Sequence, residues 1–182
     1  MKTVLFLMLS FLSIINLNAQ NIYMPGKTVQ GKEVAYRCKS MTKFFIKVSN
    51  ADNIDTTRIT YYTDGSIVPD EEGIDAVYGQ TQTDLQRMLR ESLTTDEWEM
   101  IKGKIGYGLT ISIVADSSGN TQELSFTFRI DDPVFSRFSP DRLFQLEKKF
   151  KQEIKIVWNK DAKRMRNVKY TQSIDYRKLE QP

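Results

Sequence analysis

The sequence predicts an α+β fold, an antiparallel sheet with one apolar face packed by helices. Three observations predict it. Two strict period-two runs, 105–113 and 124–130, flank a Gly119-Asn120 turn, the pattern of an antiparallel hairpin. Over 83–102 the apolar residues switch to helical spacing, and Ser139-Pro140-Asp141 opens another helix with a capping hydroxyl, a first-turn proline and an early acid.

In chain order, residues 1–19 read as a cleaved secretory leader: Lys2, an apolar run from Val4 to Ile15, and Ala19 at the exit. No cysteine follows the cut, so no lipid anchor is expected. The apolar run is too short, and too polar at Asn16 and Asn18, for a spanning helix. The chain is therefore expected to be exported, periplasmic or extracellular, with no membrane span after leader cleavage. Residues 20–32 read as a loose N-terminal arm and 33–182 as a single α+β domain.

Three strands are expected next, at 34–38 (Val34, Tyr36 and Cys38 on one face), 43–48 (Phe44, Ile46, Val48) and 57–62 (Ile59, Tyr61). Asp64-Gly65 is a turn and 69–73 an acidic loop. Thr83 with Gln86, and Thr94 with Glu97, have capping-box spacing, so 83–102 holds two short helices or one bent one, stopped at Gly103. Leu85, Met88, Leu89 and Leu93 line the first; Trp98 and Ile101 line the second. In the hairpin, Ile105, Tyr107, Leu109, Ile111 and Ile113 share one face, with Gly106 and Gly108 on the other. Glycine weakens a strand, so a backbone approaching closely or a ligand groove must account for them. The helix from Ser139 buries Leu143, Leu146 and Phe150, a short strand follows at 154–158, and a last strand runs over 167–176. Leu109, Ile111, Phe126 and Phe128 are expected to face Leu89, Leu146 and Phe150 across a shared core.

Composition prunes the chemistry. The chain has no histidine, which removes the commonest metal ligand, the usual general base and every Ser-His-Asp or Cys-His arrangement. Its single cysteine, Cys38, cannot close an intrachain disulfide; it is a buried thiol or a link to a second chain. Without the leader, 163 residues carry 25 bases and 23 acids, a balance that gives no reason to expect nucleic acid as a partner. The charges are segregated, with twelve acids against three bases over 50–101 and twelve bases against five acids over 142–182. One surface should be negative and another positive. No phosphate-cradling glycine loop precedes a helix, and no cofactor site is legible.

Two candidate partner sites remain. The last strand, through Lys169, Thr171 and Ser173, is a candidate open sheet edge for a partner segment, although edge lysines also guard against unwanted pairing. The basic turn Lys160, Lys163, Arg164 and Arg166 could hold phosphates or acidic glycans, or simply be solvated. Glu71, Glu72 and Asp75 in a loop, with Glu97 and Glu99 on a helix, leave open a histidine-free glycan hydrolase built from two carboxylates, but no spacing singles out an acid and a nucleophile. Asn50, Asp52, Asn53 and Asp55 lack the glycine and distal glutamate of a calcium loop. Trp98 and Trp158 lie in apolar patterns that favour core packing over sugar stacking.

The order helix, hairpin, helix, strand over 83–176, with Gly108-Leu109-Thr110-Ile111-Ser112-Ile113-Val114-Ala115-Asp116-Ser117-Ser118-Gly119-Asn120, resembles the C-terminal domain of TonB, the periplasmic energy-transducing protein. The leader ending in Ala19-Gln20 makes the chain more similar still to small secreted proteins of unknown function abundant in Bacteroidetes. The first resemblance implies a TonB C-terminal-like core with extra N-terminal strands, and binding by strand pairing. TonB carries a membrane anchor and a long proline-rich spacer, whereas this chain has five prolines in all, so energy transduction does not carry over. The expected function is a non-catalytic binding protein for an envelope protein or glycan, with no cofactor.

Overall fold

The computed structural model describes residues 21–54, 61–69, 76–78, 82–160 and 162–179. The leader, Asp55, most of the strand expected at 57–62, and Glu71, Glu72 and Asp75 lie outside the described residues. Among the described residues a six-stranded antiparallel sheet has the order β1-β2-β3-β6-β5-β8. Its strands are β1 (Thr28–Gln30), β2 (Ala35–Ser40), β3 (Phe45–Asn50), β5 (Gly108–Asp116), β6 (Thr121–Arg129) and β8 (Asn167–Asp175). A separate pair joins β4 (Ala76–Tyr78) to β7 (Ile156–Trp158). The helices are α1 (Gln82–Ser92), α2 (Thr95–Ile101) and α3 (Pro140–Glu153).

Alternation in the strands divides the sheet into two unlike faces. Tyr36, Cys38, Ile46, Val48, Leu109, Ile111, Ile113, Leu124, Phe126 and Phe128 are all buried, in one cluster with Leu85, Leu89, Leu143, Leu146 and Phe150 of the helices. Phe126 meets Phe150 at 6.3 Å between ring centroids, so the expected core contact between hairpin and helix is present. Both Trp98 and Trp158 are buried in this cluster. Trp158 also donates its indole N–H to the Asp116 carbonyl at 2.7 Å, tying β7 to the end of β5.

Local chemistry sets the helix ends. Thr94 caps α2 in a reciprocal box with Glu97, and Gly103 ends that region at φ +70° while donating its N–H to the Tyr176 carbonyl. Ser139 Oγ accepts the Arg142 N–H at 3.2 Å, with Pro140 at the first helical position of α3. One end of the first helix differs from the sequence reading, since α1 already starts at Gln82 and Thr83 lies inside its first turn.

Three further differences have physical causes. The segment read as a loose arm is part of the sheet: β1 pairs with β2, and Tyr23 is fully buried edge-on against Tyr36 and Phe128. Ile105 is 77% exposed, because a turn at Gly106 (φ +78°) delays the strand to Gly108. Phe44 precedes β3 and lies outside the core, with Lys43 and Arg129 over its ring. Tyr61 and Tyr62 make single bridges to Ile67 and Met165.

Candidate functional site

The face of the sheet opposite the core is polar. Its side chains fall into transverse rows fixed by the strand register. One row is Arg37, Ser49, Ser125, Ser112, Thr171; the next is Lys39, Lys47, Thr127, Thr110, Ser173. Short hydroxyls form the middle of both rows, so the floor is low there and rises to cations on β2 and β3. Lys169, opposite Val114, stands at the β8 end. A groove of about 580 Å³ runs over the first row and the lysine end of the second, and among the described residues its lining carries four cationic side chains, Arg37, Lys39, Lys47 and Lys169, against one carboxylate, Glu123.

The electrostatics of the groove are unbalanced. Lys39 and Lys47 are directly opposed across β2 and β3, a like-charge pairing that costs stability. Partial burial, then the positive charges of Lys169 and Lys39, hold the Lys47 ammonium below its ordinary range. The Glu123 carboxylate accepts the Ile54 N–H at 2.7 Å at one corner of the groove. Among the described residues no carboxylate lies within ion-pair distance of Lys39 or Lys47.

Among the described residues the β8 strand ends the sheet order. Tyr176 donates its N–H to the Tyr107 carbonyl, which sets the phase of the ladder. Val168, Tyr170, Gln172 and Ile174 therefore bond to β5, while Lys169, Thr171 and Ser173 turn their main-chain N–H and C=O away from it. Ser173 sits in a closely spaced pair with Thr110, their hydroxyls 3.0 Å apart. The three sequence-derived edge residues thus combine outward main-chain groups with side chains on the grooved face.

The basic turn behaves differently. Lys160, Lys163, Arg164 and Arg166 do not line the groove. Arg164 lies over the Tyr62 ring and accepts the Thr63 N–H at its carbonyl, and Arg166 donates its N–H to Tyr61. That turn is bound to the 61–67 segment, so the candidate set splits in two. Glu97 is engaged in the α2 cap and in an ion pair with Arg142 of α3; Glu99 pairs with Lys102. Asn50 and Asn53 hold a turn, accepting the Asp52 N–H and donating to the Leu124 carbonyl. The Cys38 thiol is buried and pushed up to about 11 by desolvation. The expectation of a close backbone approach holds at Gly108, where a Cβ would lie 2.7 Å from the Ile174 carbonyl.

Two buried carboxylates had no signal in the sequence. Glu147 faces the core from α3, accepting the Tyr36 hydroxyl at 2.6 Å, with the Lys151 ammonium 2.7 Å from its other oxygen. Asp132 accepts the N–H groups of Val134 and Phe135 and the Tyr176 hydroxyl. Both are engaged by these neighbours, and neither lines the groove. Arg37, Lys39 and Lys47 were also missed as a site. Their only trace in the sequence is Arg37 and Lys39 alternating with Tyr36 and Cys38, and Lys47 set between Ile46 and Val48.

Among the described residues no helix is long and apolar enough to cross a membrane. No protein-family profile matches the chain, and no curated protein does. The fold is similar to the crystal structure of a DUF5043 family protein from Bacteroides uniformis, with a TM-score of 0.67 at 17% identity, covering 86% of this chain and 89% of that one. The likeness establishes a shared mixed α+β architecture over most of both chains.

Proposed function

We propose that this chain is a non-catalytic binding module, exported to the periplasm or beyond the cell, that holds a partner segment along the β8 edge. The observation that carries this reading is the orientation of Thr171 and Ser173, whose main-chain donors and acceptors face away from β5 at the end of the sheet order. An extended segment of an envelope protein would add there as a further antiparallel or parallel strand, with main-chain bonds supplying affinity. The helix, hairpin, helix, strand order over 83–176, similar to the C-terminal domain of TonB, supports the same mode. The apolar leader over 1–19 supports export.

Proline tests this without dismantling the sheet, because an outward N–H makes no bond to β5 and prolines are tolerated on edge strands. A peptide array of envelope-protein segments is probed with the chain lacking residues 1–19. Peptides captured by it are expected to be lost by Thr171→Pro and by Ser173→Pro, with the melting temperature nearly unchanged. Undiminished capture by both variants would overturn strand pairing at β8.

A further inference from the structure

From the grooved face we infer a second binding surface, for an anionic oligosaccharide lying across the strands with its acidic groups on Lys39 and Lys47 and its hydroxyls on the serine and threonine rows. This surface borders the β8 edge and shares Lys169 and Thr171 with it, but it uses side chains where strand pairing uses main-chain groups, so either can fail alone. The first argument is charge. Four cations and one carboxylate line the groove, and Lys39 opposes Lys47 directly, an arrangement that lowers stability and that a bound anion would relieve.

Shape supplies the second argument. From β2 to β8 the rows cross four strand spacings, about 19 Å at ~4.8 Å each, long enough for several sugar rings. The floor is made of Ser49, Ser125 and Ser112, side chains that both donate and accept and so match ring hydroxyls. A sheet face offers no main-chain partners, since its N–H and C=O groups lie in the sheet plane. An acidic peptide would find on this face none of the main-chain ladder bonds that a strand makes at a sheet edge, whereas the many hydroxyls of a carbohydrate match the serine floor.

Isothermal titration tests it with four probes: an oligogalacturonate, a heparin-derived sulfated oligosaccharide, an uncharged cello-oligosaccharide and an oligoglutamate peptide. The two acidic sugars distinguish carboxylate from sulfate as the recognised group. At least one should bind at about 50 mM salt and weaken at about 300 mM, while the uncharged sugar and the peptide do not bind. Lys39→Gln and Lys47→Gln should each weaken binding about tenfold, the size of a lost charge-assisted hydrogen bond. Lys47→Gln should leave the melting temperature equal or higher, because it removes a repulsion. Neither acidic sugar binding, equal binding of oligoglutamate, or unchanged affinity in both variants would overturn the proposal.

Discussion

Gly119 shows how much a single residue decides. It sits at φ +83° in the turn between β5 and β6, and a Cβ there would lie 2.0 Å from the Ile156 carbonyl. Replacing it with alanine is therefore expected to destabilise by more than the ~1 kcal/mol of an αL residue alone, about 2–4 kcal/mol in all, read by chemical denaturation. Phe128 is fully buried against Tyr23 and Phe135, so Phe128→Ala should cost about 3–5 kcal/mol; an unmoved denaturation midpoint would contradict the core assignment. Glu97 gives a pH-dependent case. Its hydrogen bonds from Arg142 hold the carboxyl below the usual glutamate range, with the Thr94 N–H adding to the effect. A lowered folded pKa gives stability that is present above the unfolded value and lost as pH falls through the folded one. Glu97→Gln should thus lower the melting temperature at pH ~7, and the gap should close towards pH ~3.

Elements with a strict period were legible, and those fixed by long-range contacts were not. The hairpin over 108–129 and the helix from Pro140 follow from alternation and capping chemistry that neighbouring residues carry themselves. The burial of Tyr23 depends on rings from β2 and β6, contacts that composition near residue 23 does not announce. That is why an arm was expected where a strand forms. The edge at β8 was legible because its lysine-hydroxyl alternation is local. The groove was not, since it needs β2, β3, β5, β6 and β8 set side by side, an order that only the tertiary fold decides. At this scale the contrast between neighbours on β8 is itself a prediction. Gln172 bonds to β5, so Gln172→Pro should break the ladder and destabilise by about 3 kcal/mol or more, whereas Thr171→Pro should change stability little.

As a whole the molecule devotes one face of its sheet to the core and leaves the other polar. The core face buries Tyr36, Ile46, Phe126 and Phe128 against helix residues such as Leu85, Leu89 and Phe150, and the helices are tied to one another by ion pairs such as Glu97–Arg142 and Lys149–Glu91. The remaining face concentrates cations where like-charge opposition opposes stability, and it ends at a strand whose main-chain groups turn outward. A scaffold of this kind presents a fixed surface and brings no general base of histidine type to it.

The most direct measurement is site-specific photo-crosslinking in the cell that makes the protein, with a diazirine side chain at Thr171 and, separately, at exposed Ile105, which lies outside the strands. The account predicts a discrete crosslinked partner from position 171, identified by mass spectrometry, that is absent from position 105 and lost in a Ser173→Pro background. Identical crosslinks from both positions, or none from 171, would contradict it.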